Sequence, residues 1–131
     1  MKTEPLVAPV IHRAATYLLV ADVARALRHY RDVLGFEVEY AQEPLFGIVR
    51  RGGATLMLKV ADPVKPLVPN EAQGGTWDAF LFVSGLEALF AELRARGAAV
   101  VYPPTQQPYG YVEFAVRDLD GYVLGFGEEK R

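Results

Sequence analysis

Acid–base catalysis, metal binding and nucleophilic attack each need particular side chains, and this sequence is sparing with them. It has two histidines, His12 and His29, and no cysteine. A thiol nucleophile, a zinc–thiolate site and a disulfide framework are therefore excluded. His29 falls beside Tyr30 on the solvent side of an amphipathic segment, the ordinary place for a surface histidine, and His12 lies in a proline-containing lead-in. More telling are two carboxylates inside apolar, strand-like runs, Asp78 in "WDAFLFV" and Glu113 in "YVEFAV". A carboxylate facing the hollow of a curved sheet can act as a base or anchor a ligand. Strand alternation puts Val112, Phe114 and Val116 on a core-facing side and Tyr111, Glu113 and Ala115 on the other.

Aromatic side chains supply the second kind of chemistry, a wall for planar or amphipathic molecules. Tyr40, Phe46, Trp77, Tyr109, Tyr111 and Tyr122 are the candidates for such a lining. Trp77, Tyr109 and Tyr111 lead among them, because they flank a Pro- and Gly-rich connector and the loop "PPTQQPYGY". Phe36, Phe80, Phe82, Phe90 and Phe114 are assigned to the core.

These residues need a scaffold, and the chain is long enough for one. At 131 residues, 51% hydrophobic and 23% charged, it has the size and composition of a single globular domain. The apolar runs are too short to cross a bilayer. A formal charge of −2 with Arg interspersed among Asp and Glu gives no basic stripe, which argues against nucleic acid as a partner. The N-terminal stretch "MKTEPLVAPVIHRAA" breaks any apolar core with Glu4 and two prolines, so a secretory leader is not expected, and the cysteine-free composition fits the cytoplasm.

The elements recur. "AATYLLV" reads as a strand, Asp22 as an N-cap, and Val23, Leu27, Tyr30 and Leu34 as one face of a helix closed by Gly35. "FEVEYA", "LFGIVR" and "ATLMLKV" follow as strands, the last two joined at "RGG". "WDAFLFV" then opens a second round, with a helix in "SGLEALFAELRARG" capped by Ser84 and Glu87 as a capping box and closed by Gly97. "AAVVYPP", "YVEFAV" and "GYVLGF" complete it, with the turn "RDLDG" between the last two. Val20, Val23, Leu27 and Tyr30 superpose on Val83, Leu86, Phe90 and Leu93 at one constant offset. The prediction is an α+β fold of tandem β-α-β-β-β modules, curved mixed sheets around a cup. Module 1 spans about 13–60, a connector 61–76 and module 2 about 77–128. The aperiodic connector also has the length to act as a flap over a pocket.

At this level the sequence resembles the glyoxalase/bleomycin-resistance/extradiol-dioxygenase superfamily, or vicinal oxygen chelate fold. "VADVARALRHYRDVLGFEV" is similar to the first-module signature, and "EFAVRDLDGYVLGFGE" to the final hairpin, with Leu119 where proline is usual. The resemblance implies a divalent metal with one ligand on the first and one on the last strand of each module. Carried onto this chain, those positions are Ala15, Met57, Asp78 and Gly125, of which Asp78 alone offers a hard donor, and one carboxylate does not hold a catalytic divalent ion. The resemblance therefore points to the metal-free, bleomycin-resistance-like members: no cofactor, no metal, and a small aromatic or amphipathic ligand held in a cup at a homodimer interface. Antibiotic resistance enters by the same route, although −2 is a modest charge for attracting cationic bleomycin itself. Ligand-contact candidates are Trp77, Asp78, Tyr109, Tyr111, Glu113, Met57 and Phe46, with Met57 as soft apolar floor. The alternative is a metal-dependent lyase, epimerase or dioxygenase of the same superfamily. A structural interaction module would instead have a collapsed cup.

Overall fold

The computed structural model describes residues 7–130. Glu4, which weighs against a secretory leader, lies outside them. The first half runs β1 (Thr16–Val20), α1 (Val23–Asp32), β2 (Glu37–Gln42), β3 (Phe46–Arg51) and β4 (Ala54–Val60). The second runs β5 (Ala79–Phe82), α2 (Leu86–Ala95), β6 (Ala99–Gln106), β7 (Tyr111–Arg117) and β8 (Val123–Glu129). Each half threads a four-stranded mixed sheet in the same order, β1-β4-β3-β2 and β5-β8-β7-β6, with first and last strands parallel. The repeat read from the sequence is thus the architecture.

Helix α1 forms where its cap and apolar spacing dictate. The Asp22 carboxylate accepts the Arg25 N–H at 3.0 Å, and Val23, Ala26, Leu27 and Tyr30 are buried on one face. Burial of each large side chain of that stripe contributes roughly 1.5–3 kcal/mol. Gly35, at φ +73°, ends the helix, and the Leu34 and Phe36 N–H groups close on the His29 and Tyr30 carbonyls. The helix lies close on its sheet because a Cβ at Gly47 would stand 2.6 Å from Leu27 Cδ2. Its cover leaves the opposite face of the sheet open, where Tyr17, Met57, Ile48 and Tyr40 stand in one row across β1, β4, β3 and β2.

Helix α2 starts differently from expectation. The Ser84–Glu87 capping box does not form; Gly85 is the N-cap, at φ +74°, and contributes no side-chain bond. The carboxylate of Glu128 accepts the Leu86 N–H at 3.0 Å and the Gly85 N–H at 3.3 Å instead. The box requires Ser84 at the cap position, but the helix begins one residue later, where the end of β8 brings Glu128 to the free amides.

The two halves share one core and are tied by polar contacts. Tyr30 donates its hydroxyl to Asp118 at 2.7 Å, the Ala21 N–H donates to Asp120 at 2.9 Å, and Arg51 forks onto Glu92 at 2.7 and 2.8 Å. Phe36 and Phe114 lie in this core and Phe90 packs against it. Tyr122, expected in the cup lining, is also core: it is buried in the junction, with its hydroxyl donating to the Leu19 carbonyl. The connector carries one 3₁₀ turn, Asn70–Gln73. Glu71 pairs with Arg117 at 2.8 Å, so this segment is strapped to the β7–β8 turn. Of its residues only Thr76 borders the aromatic hollow described next, which leaves no flap over it.

Candidate ligand pocket

The open face of the second sheet is built on strand β8. Its "LGFG" places Gly125 and Gly127 on that face, paired with Phe80 and Phe82 of β5 on one side and with Ala115 and Glu113 of β7 on the other. Without side chains, these glycines let rings lie flat on the strand. A Cβ at Gly125 would come within 2.5 Å of the Trp77 indole, and one at Gly127 within 2.5 Å of the Phe80 ring. Trp77 is then fixed by its indole N–H, which donates to the Tyr102 hydroxyl at 2.8 Å.

From Trp77 the aromatic wall is continuous. Ring centroids are separated by 4.6 Å from Trp77 to Phe80, 5.1 Å to Phe82, 6.1 Å to Tyr111 and 6.0 Å to Tyr109, within the range of favourable tilted ring contacts. Two adjoining hollows of about 420 and 400 Å³ share Trp77, Tyr109 and Glu113 as walls. Phe82 is 75% exposed, an extreme value for a phenylalanine on a strand.

Glu113 sits at the base of these rings, 3% exposed. The Tyr109 hydroxyl donates to its two oxygens at 2.8 and 2.7 Å. That bond to the carboxylate, with partial burial and the carboxylate's charge adding to it, pushes the Tyr109 phenol up to about 12, so Tyr109 is a neutral donor at any physiological pH. Burial, opposed by the bond from Trp77, also raises Tyr102.

The structure brings together Trp77, Tyr109, Tyr111 and Glu113 from among the sequence candidates. It sets the other three apart. Asp78 does not face the hollow; its two oxygens accept the Asn70 N–H at 2.8 Å and the Val123 N–H at 2.9 Å, fastening the connector to β8. Met57 and Phe46 lie on the other sheet, Met57 between Tyr17 and Ile48 and Phe46 beside Tyr40 at 6.2 Å. Phe80 and Phe82, read as core, belong to the wall: the glycines of β8 leave Phe80 a seat on the open face, and Phe82 stands exposed beside it. Tyr102, Thr105 and Gln107 complete one side of the smaller hollow and were not anticipated. His12 is exposed, whereas His29 is half-buried, its Nε2 without a hydrogen-bond partner and its pKa lowered by burial against the opposing charge of Asp120.

A larger, open cleft of about 740 Å³ lies between the β3–β4 turn and α2. Its charged residues, Arg51 and Glu92, already neutralise one another at 2.7 Å. The aromatic hollow, whose buried carboxylate has no such partner among the described residues, is the better candidate.

A sequence model described as Glyoxalase/Bleomycin resistance protein/Dioxygenase superfamily matches residues 10–126. The chain belongs to this superfamily. Among curated proteins none matches significantly. Of solved structures, the bleomycin-binding protein of bleomycin-producing Streptomyces verticillus, complexed with copper(II)-bleomycin, is 27% identical with a TM-score of 0.69, the alignment covering 91% of this chain and 97% of that one. TioX of Micromonospora sp. ML1 is 25% identical, TM-score 0.71, covering 89% and 98%. TnmS3, an antibiotic binding protein from Streptomyces sp. CB03234, shares the fold at 23% identity and TM-score 0.72, covering 95% and 100%.

The metal chemistry of this superfamily does not fit the residues at hand. Of the four ligand positions the resemblance implies, Ala15 has no donor, Met57 offers a thioether, Asp78 is bonded to two amides, and Gly125 lies under the Trp77 indole. Among the described residues no three His, Cys, Asp or Glu side chains gather as a metal site requires.

Proposed function

We propose that this chain is a metal-free small-molecule-binding protein that sequesters an aromatic or amphipathic compound on the open face of its second sheet. The single observation that carries this reading is the indole of Trp77 lying over Gly125. A ring occupies the place where the superfamily's enzymes would set a ligand, and it begins a wall of five rings. The likeness to a bleomycin-binding protein supports binding as the activity, without making bleomycin the ligand.

Two open sheet faces per chain support a homodimer. Tyr17, Leu19 and Tyr40 are exposed on the first sheet, Phe82 and Tyr109 on the second. Apposing the first face of one copy and the second face of another buries both and encloses the hollow as a cup, an arrangement a two-fold axis repeats twice. Met57 and Phe46 then become the far wall, contributed by the partner copy. A cytoplasmic location and a part in antibiotic resistance accord with this reading.

Nile red, a neutral planar dye whose emission rises in apolar surroundings, tests it. Saturable binding that survives EDTA and is weakened in Trp77→Ala supports the proposal. Binding or turnover that appears only on adding a divalent metal would instead favour the lyase, epimerase or dioxygenase alternative.

A further inference from the structure

We infer that the ligand carries an organic cation, a quaternary or protonated amine, which seats inside the aromatic wall against the carboxylate of Glu113. The inference rests on the binding function proposed above and narrows it to a chemical class. Glu113 is 3% exposed, yet among the described residues the only side chain bonded to it is a single hydroxyl, that of Tyr109, shared between its two oxygens. An ionised carboxylate can accept about four hydrogen bonds, and a buried one is ordinarily paired with a cation. Among the described residues no Lys, Arg or His forms an ion pair with Glu113.

The rings around it reinforce this asymmetry. Trp77, Phe80, Phe82, Tyr109 and Tyr111 border the same hollow as Glu113. Aromatic faces carry negative electrostatic potential and attract cations within about 6 Å of the ring centroid, Trp most strongly. A carboxylate at the base and ring faces on the sides all favour positive charge. An anion meets repulsion from each. A neutral ligand covers the carboxylate and removes its remaining access to water without replacing it, which weakens binding. The occupant that offsets its own desolvation here is a cation with apolar girth.

The test uses two probes of one shape, phenyltrimethylammonium and tert-butylbenzene, which differ in charge and carry no N–H or O–H. Trp77, the one tryptophan of the chain, reports occupancy by its fluorescence. The full-length protein should bind the cation at least tenfold tighter than the hydrocarbon, with the ratio falling as salt is raised. Glu113→Gln, which keeps the shape and an acceptor for Tyr109, should lower the ratio several-fold, chiefly by weakening binding of the cation. Equal affinities in the wild type, or preference for the hydrocarbon, overturn the cation inference and leave the binding function standing. Absence of binding by both probes and by Nile red overturns both. Should Glu113→Gln fail to fold, the wild-type ratio and its salt dependence decide alone.

Discussion

Gly125→Ala adds one methyl group and should disable the pocket while leaving the fold in place. The new Cβ would stand 2.5 Å from Trp77 Cδ1 and Nε1 and 2.8 Å from Phe80 Cδ2, distances at which a ring has to move. The backbone at Gly125 has no positive φ, so no backbone strain adds to the steric displacement. Overpacking costs about 1–3 kcal/mol and loss of the bond from the indole to Tyr102 about 0.5–1.5 kcal/mol. Trp77 is only half-buried and can swing outward, and alanine regains about 0.5–1 kcal/mol over glycine in a strand. The net loss of stability should be about 1–2 kcal/mol, or roughly 3–8 °C in Tm for a domain of this size. Affinity for Nile red should fall further than that, at least tenfold, because the displaced indole enters the space of the ligand. Thermal melts, the tryptophan emission maximum and dye titration read the three quantities, and a red-shifted emission is expected. Gly53→Ala, where the added Cβ meets nothing within 4 Å, is the matched control. Wild-type emission and wild-type affinity in Gly125→Ala would refute the claim that the glycines of β8 seat the aromatic wall.

Further outcomes follow from the same contacts. Trp77→Ala should cost about 1–3 kcal/mol of ligand affinity and no more than about 1–2 kcal/mol of stability, whereas a drop of about 3–5 kcal/mol in stability with affinity unchanged would make Trp77 a core residue. Burial, first, raises the Asp118 carboxyl to about 6 from an ordinary 3.8, against the bonds donated by Tyr30, Tyr122 and Asp120. The folded state therefore holds that proton more tightly than the unfolded chain. Its contribution to stability is full below about pH 4 and lost as pH rises through about 6, an effect of about 3 kcal/mol. Glu71, Glu92 and Glu128 are lowered by their partners and act in the opposite direction, so the quantity to measure is the difference in Tm between wild type and Asp118→Asn from pH 4 to 7, which should widen in favour of the variant as pH rises. Asparagine suits the site because Oδ1 alone accepts the Asp120 and Tyr122 N–H groups. Glu128→Ala should lower stability by about 0.5–2 kcal/mol through the uncapped amides of α2, seen as faster amide exchange at Gly85 and Leu86.

The repeat was legible because each half states its pattern locally: a cap at Asp22, apolar helix positions at matching offset, and Gly35, Gly97 and Gly121 at turns where φ is positive. Glu113 and Tyr111 were legible because β7 alternates without interruption, and Tyr109 because it stands in the "PPTQQPYGY" turn just before that strand. Phe80 and Phe82 were not, since their exposure depends on the neighbouring strand: "GYVLGF" reads as a strand, but its own pattern does not reveal that Gly125 and Gly127 form a floor for the rings of β5. Tyr102 escaped because β6 shifts register on both sides of it, between Val100 and Tyr102 and between Tyr102 and Thr105, so counting by twos fails there. Asp78 misled for a related reason: it precedes β5, and nothing in its own strand reveals that backbone amides of Asn70 and Val123 satisfy it.

The most direct measurement of the central claim is the ¹⁹F spectrum of protein carrying 5-fluorotryptophan, since the chain's one tryptophan stands in the proposed wall. In EDTA-treated protein, one resonance should shift progressively and saturably as Nile red is added, at the concentration where dye emission saturates. A resonance that stays in place while the dye binds, or that moves only after a divalent metal is supplied, would contradict a metal-free aromatic pocket built on Trp77.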